Sequence, residues 1–131
     1  MVQGERLGFV VRSEFLVAPT IDVSDLYEAR TVGYWYQILD REGRELLAYH
    51  WHPEGVSPVV TPHVHMSHAR WTIAPEGSAR GPALADLHLP TVAVALADVV
   101  RRLITDLGAR PRRPDWDDVL RANRHVPQVE G

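Results

Sequence analysis

The chain has 131 residues, a length typical of one domain of ordinary size. Apolar residues make up 45% of it and charged residues 24%, which is the composition of a globular protein and not of a disordered one. Because there is no cysteine, disulfides and thiolate metal sites are excluded, and the net charge of −3 argues against a strongly basic nucleic-acid-binding protein.

The first eight residues include Glu5 and Arg6 and contain no long apolar run. They therefore predict neither a signal peptide nor a membrane-spanning helix. The absence of cysteine fits a reducing compartment. We expect a cytoplasmic protein that does not associate with a membrane.

The first third of the chain predicts a hairpin. Residues 7–17 have an irregular strand pattern that Pro19 interrupts, and residues 22–29 are typical of a short helical turn or a loop. Residues 34–39 give the strongest strand signal, because they are aromatic and branched. Gly43 can adopt the positive φ of a short hairpin loop, and residues 46–52 then return as the partner strand.

The middle of the chain predicts two further strands. Residues 53–62 hold three prolines and Gly55, and they are typical of a loop. Residues 63–72 have the pattern of another strand, which a connection rich in glycine and proline follows at 75–82. Residues 84–89 predict a last short strand that Pro90 ends.

After Pro90 the apolar period changes from two to 3.6. Apolar residues at positions 96, 99, 100, 103, 104 and 107 form one helical stripe, and Gly108 and Pro111 end it. A second, shorter helix is predicted to begin near Pro114.

The sequence thus predicts a single α+β domain. Its antiparallel sheet of four or five strands occupies about residues 7–90. Two C-terminal helices, at about residues 92–124, pack on one face of that sheet, and residues 126–131 form a frayed tail.

Six of the seven histidines lie between residues 50 and 88. Alternate residues of a strand share a face, so His50 and His52 lie on one side of their strand, and His63 and His65 share a side of the next one. If the two strands are neighbours, burial of the intervening apolar residues brings both pairs onto the same face. His88 alternates with leucines and can join them.

Three interpretations of these histidines are open. In the first, His50, His52, His63 and His65 bind a divalent transition metal such as zinc, with a carboxylate completing the coordination. In the second, the histidines need no cofactor and act as general acid and base in RNA cleavage, because imidazole titrates near neutral pH. In the third they are structural, either solvated, hydrogen-bonded or part of an oligomer interface.

The second interpretation assigns catalytic roles to His63 and His65, with His50, His52 and His88 in support. Arginines downstream and in the hairpin turn, Arg70 foremost, would stabilise the negative charge of the phosphorane.

One stretch of the chain resembles a known family. Tyr34-x-Tyr36-x-aliphatic-x-Asp40-x-x-Gly43, an aromatic strand that ends in His-Pro, and then Pro62-His63-x-His65 are similar to the TumE-type toxins of bacterial toxin–antitoxin systems. The resemblance covers about residues 30–66.

The resemblance implies a small α+β toxin that acts on RNA and is neutralised by an antitoxin, with His63 and His65 as the functional positions that carry over. The chain also departs from the family. His52 follows Trp51 where those toxins tend to have an acidic residue, and the helical half has no counterpart.

The leading hypothesis is therefore a small bacterial toxin-like protein of a toxin–antitoxin or defence system, working as a metal-free ribonuclease. The alternatives are a histidine-ligated metal-binding protein or metalloenzyme, and a non-catalytic module that binds a partner through its sheet edge or its arginine-bearing helices. The expected partners are a cognate antitoxin, RNA and a second copy of the chain in a homodimer.

Overall fold

The computed structural model describes residues 6–21, 26–67 and 88–129. The chain divides into two compact units, one ending at Val92 and one beginning at Ala93. The first unit contains a β-sheet and the second contains two helices, so the predicted α+β fold with C-terminal helices is confirmed. No helix in the described part of the chain is long and apolar enough to span a membrane.

Among the described residues, five strands form one antiparallel sheet, and each pairs with the next described strand in the sequence. The strands are β1 (Gly8–Pro19), β2 (Tyr27–Leu39), β3 (Glu45–Trp51), β4 (His63–His65) and β5 (Leu89–Pro90). The sheet is therefore a meander in which β1 and β5 are the outer strands of the described residues.

The strands β1 and β2 are both longer than the sequence predicts, and they pair with each other as a hairpin. Pro19 pairs with Tyr27, and the two strands remain paired back to Gly8 and Leu39, with one register shift next to Glu14. The prediction of a helical turn or loop over residues 22–29 is wrong for residues 27–29, which are strand, and residues 22–25 lie outside the described residues. Cross-strand pairing with β1 overrides the weak local preference of this segment.

The β2–β3 hairpin has the predicted form. The φ of Gly43 is +78°, which a residue without a Cβ adopts at little cost. The Asp40 carboxylate accepts hydrogen bonds from the backbone N–H groups of Glu42 and Arg44, at 3.0 and 2.9 Å. These contacts close the turn and fix the register of the two strands.

The last two strands are shorter than predicted. The strand expected over residues 63–72 ends at His65, and residues 68–72 lie outside the described residues, as do residues 84–87 of the other predicted strand. Pro90 belongs to β5 instead of ending it, and it pairs with His63. Proline is tolerated there because β5 pairs only with β4 among the described strands, so no second ladder needs an N–H at this position.

The second unit contains helices α1 (Leu96–Thr105) and α2 (Trp116–Ala122). Gly108 follows α1 with a φ of +73°, in agreement with its predicted role in ending the helix. An ion pair of Arg101 with Asp117 connects the two helices, and Arg124, just after α2, pairs with Asp98 of α1.

Strand alternation separates the sheet into two chemically different faces. Tyr34, Tyr36, Ile38 and Trp51 are at most 5% exposed, and Tyr34 pairs with Trp51 across the β2–β3 ladder, so these residues share one face. The intervening residues lie on the other face, where Trp35 pairs with His50. We call this second surface the histidine face.

Candidate functional site

Five histidines meet on the histidine face. Directly opposite pairing of His50 with His63, and of Ala48 with His65, places the β3 and β4 histidines side by side. We call these residues the five-histidine cluster: His50, His52, His63, His65 and His88. Ring centroids within it lie 4.3 Å apart for His65 and His88, 4.6 Å for His50 and His65, and 5.5 Å for His52 and His63.

The cluster contains two groups of three histidines that share His63. One ring nitrogen of each member lies within 4.8 Å of the others in the set His50, His52 and His63. The same holds for the set His63, His65 and His88. Nitrogens bound to one tetrahedral zinc ion are roughly 3.3 Å apart, so the nitrogens of one group would move closer by at most about 1.5 Å to bind one cation.

The two central histidines are buried. His50 is 6% exposed and His63 is 1% exposed. Among the described residues, the Nε2 atoms of both are buried and have no hydrogen-bond partner. A buried polar atom without a partner is costly, so both nitrogens are suited to accept a ligand inside the cluster.

The other ring nitrogen of His63 is oriented by the backbone. Its Nδ1 lies 2.7 Å from the carbonyl oxygen of Thr61. Because a carbonyl can only accept, His63 donates through Nδ1–H, and its lone pair is on Nε2. A carbonyl that receives the second N–H of an imidazole is the usual support of a histidine ligand.

Burial lowers the pKa of three members of the cluster, His50, His63 and His65, and so favours their neutral form. Burial, followed by the neighbouring His65, His63 and His52, lowers the pKa of His50 to about 3. Burial also lowers the pKa of His63, against a smaller opposing effect of its bond to Thr61, and burial together with His88 lowers the pKa of His65. Neutral imidazoles have the free lone pair that metal coordination requires.

Trp35 packs against two members of the cluster. Its ring centroid is 4.0 Å from that of His50 and 5.4 Å from that of His52, and it stacks on His52 at an interplanar angle of 24°. On the next pair of strands, Ala48 is completely buried opposite His65. The Trp35 indole therefore restricts the rings of His50 and His52, and the Ala48 methyl group restricts the ring of His65.

A cavity of about 330 Å³ adjoins the cluster at His52. Trp35 also lines it, and Glu54 contributes a carboxylate. The remaining lining residues are Arg12, Glu14, Tyr34, Trp51, Gly55, Val56 and Ser57. The cavity gives a small molecule a place next to an edge histidine of the cluster.

The structure brings together five of the six predicted catalytic residues, all of them histidines. Four of these five, His50, His52, His63 and His65, are also the predicted metal ligands, and the fifth is His88. The sixth, Arg70, lies outside the described residues. The sequence did not reveal Trp35 or the Thr61 carbonyl. Because Trp35 alternates with Tyr34 and Tyr36, strand periodicity alone could have placed it on the face opposite to theirs. A backbone carbonyl is common to every residue type, so nothing in the sequence marks the one of Thr61.

No protein family, curated protein or solved structure was found to match the chain. The similarity to TumE-type toxins therefore remains a prediction from short motifs.

Proposed function

We propose that the protein binds one divalent transition metal ion, with zinc as the first candidate, through the five-histidine cluster. The observation that carries the proposal is the set His50, His52 and His63, whose ring nitrogens lie within 4.8 Å of one another. Two of these three residues have a buried Nε2 with no hydrogen-bond partner among the described residues. Imidazole nitrogen is a good ligand for zinc, copper and nickel.

A single ion is expected because both groups of three histidines need His63. That residue has one lone pair to give, since its Nδ1–H donates to Thr61. The two groups therefore compete for one nitrogen. The set with His50 and His52 is preferred because His50 is buried, whereas His88 is exposed.

Three histidine ligands would hold an ion with a fourth position free for water or a substrate, as catalytic zinc sites do. The cavity beside His52 would give a substrate an approach to the cluster, and Glu54 on its wall would be available as a general base. These features support a metalloenzyme over a closed structural site.

The metal-free ribonuclease is less well supported by the geometry. Such a mechanism needs one protonated imidazole as the acid and one neutral imidazole as the base. Burial lowers the pKa of His50, His63 and His65 alike, so the interior of the cluster disfavours the protonated partner.

The test is metal titration of the whole chain, purified without a histidine tag and stripped with a chelator. Calorimetry with zinc should give one ion per chain, and cobalt should give the visible spectrum of a tetrahedral site. His63→Ala should weaken zinc binding by about 100-fold or more, because it removes the ligand shared by both groups. His125→Ala is the matched control, since His125 belongs to the helical unit.

His63 is buried, so circular dichroism should first establish that His63→Ala is folded. His52→Ala removes a less buried ligand and gives an independent measurement. Failure of the wild-type chain to bind zinc or cobalt would contradict the proposal, and so would unchanged affinity in both folded variants.

A further inference from the structure

The outer edge of β1 has no partner strand among the described residues. This strand is 12 residues long and stands first in the strand order, so only β2 pairs with it. The N–H and C=O groups on its second edge are arranged to accept another strand. Proteins usually shorten, twist or charge such an edge to prevent unwanted pairing.

The side chains of β1 do not protect this edge. Val10 and Val11 are each 43% exposed, Phe15 is 59% exposed and Val17 is 62% exposed. Leu16 is exposed as well, at 47%. A long edge strand with this much exposed apolar surface is a pairing site.

The sequence of β1 is symmetric about Ser13. Moving outward from Ser13 in both directions, one meets an oppositely charged pair, three apolar pairs and then a pair of small residues. In order, the pairs are Arg12 and Glu14, Val11 and Phe15, Val10 and Leu16, Phe9 and Val17, and Gly8 and Ala18. A strand with this pattern is complementary to an antiparallel copy of itself.

We propose that the protein forms a twofold homodimer in which β1 pairs with β1 of a second copy, antiparallel and centred on Ser13. In this register Arg12 lies opposite Glu14 of the second copy, and Val11 lies opposite Phe15. The interface is isologous, as in most homodimers, and the two sheets join into one of ten strands. Residues opposite each other in antiparallel strands lie on the same face, so the histidine faces of both copies lie on the same side of the joined sheet.

The charges favour a second copy over an unrelated strand. Arg12 and Glu14 pair within the chain at 2.8 Å, and their side chains are 68% and 53% exposed. In the dimer, Arg12 of each copy also lies opposite Glu14 of the other copy. Two arginines and two glutamates then alternate in sign around the twofold axis. A strand of another protein would need neither this charge order nor the symmetric apolar pairs.

The dimer is tested by sedimentation velocity and light scattering on the whole chain over a range of micromolar concentrations. The expected mass is twice the 14.7 kDa of the chain. Arg12→Glu places acids opposite acids, and Glu14→Arg places arginines opposite arginines. Each variant alone should dissociate at least roughly tenfold more readily, because like charges directly opposite are destabilising.

Mixing the two single variants should restore a heterodimer, since one chain then carries two acids and the other two arginines at the interface. The double variant Arg12→Glu/Glu14→Arg should dimerise like the wild type. Loss of the intrachain ion pair would weaken both single variants, but it would not explain rescue in the mixture, where neither chain regains that pair.

Phe15→Lys should also abolish the dimer by placing a charge opposite Val11. Tyr27→Lys is the matched control, because Tyr27 is exposed by 69% but belongs to β2. Circular dichroism checks that both variants are folded. A monomeric wild type, or a dimer that none of these edge substitutions weakens, would overturn the proposal. Zinc titration of the same variants keeps this result separate from that of the metal site.

Discussion

Trp35 offers a direct test of how the histidine face is organised. The ring lies against His50 and His52, with centroid distances of 4.0 and 5.4 Å. Each aromatic pair of this kind contributes about 0.5–1.5 kcal/mol beyond the area that it buries. Trp35→Leu removes both pairs, so the free energy of unfolding should fall by about 1–3 kcal/mol.

The same substitution should weaken metal binding. Without the indole, His50 and His52 lose the surface that holds their rings near His63. Loss of a group that orients metal ligands typically reduces affinity by about 10–100-fold. Trp35→Phe keeps an aromatic ring at the position and should retain most of the affinity.

Urea denaturation of the metal-free chain and competitive zinc titration measure the two effects separately. Trp116→Leu is the control, because Trp116 belongs to the helical unit, where it packs under Arg101. It should lower stability without changing zinc affinity. Zinc binding by Trp35→Leu at wild-type affinity would refute the role assigned to the indole.

Two further predictions concern the histidines. In the metal-free protein, the free energy of unfolding should be greatest above pH 6.5 and should fall as the pH drops toward 3. In that window His50 is protonated in the unfolded chain but not in the folded chain, where its pKa is about 3. Urea denaturation at several pH values measures this dependence, and His50→Gln should flatten it. If the resemblance to TumE-type toxins reflects function, induced expression of the wild type should arrest bacterial growth and expression of His63→Ala/His65→Ala should not. The control is His125→Ala, which should arrest growth like the wild type. Harmless expression of both the wild type and the double variant would refute the toxin hypothesis.

The sequence determines which residues share a face. Alternation along a strand is a property of the backbone, so the H-x-H spacing alone puts His50 beside His52 and His63 beside His65. The β2–β3 hairpin is equally local, because Gly43 and the flanking aromatic residues act within one short segment. The change of period after Pro90 likewise predicts the helices.

The sequence does not determine which strands are neighbours or in what register. The opposition of His50 and His63 depends on how the loop between β3 and β4 closes, and one residue of slippage would move a whole set of side chains to the other face. The length of the β1–β2 hairpin has the same origin, since residues 27–29 become strand only by pairing with β1.

The chemical state of the cluster is also decided by the tertiary structure. An isolated histidine is solvated and titrates near neutral pH, whereas His50 is buried among other imidazoles and stays neutral. The direction of the His63 lone pair depends on the position of the Thr61 carbonyl, a backbone atom that every residue type carries. The sequence alone therefore specifies the ligand candidates and the face that they occupy. Their distances, protonation and orientation arise only when non-local strands pair and exclude water.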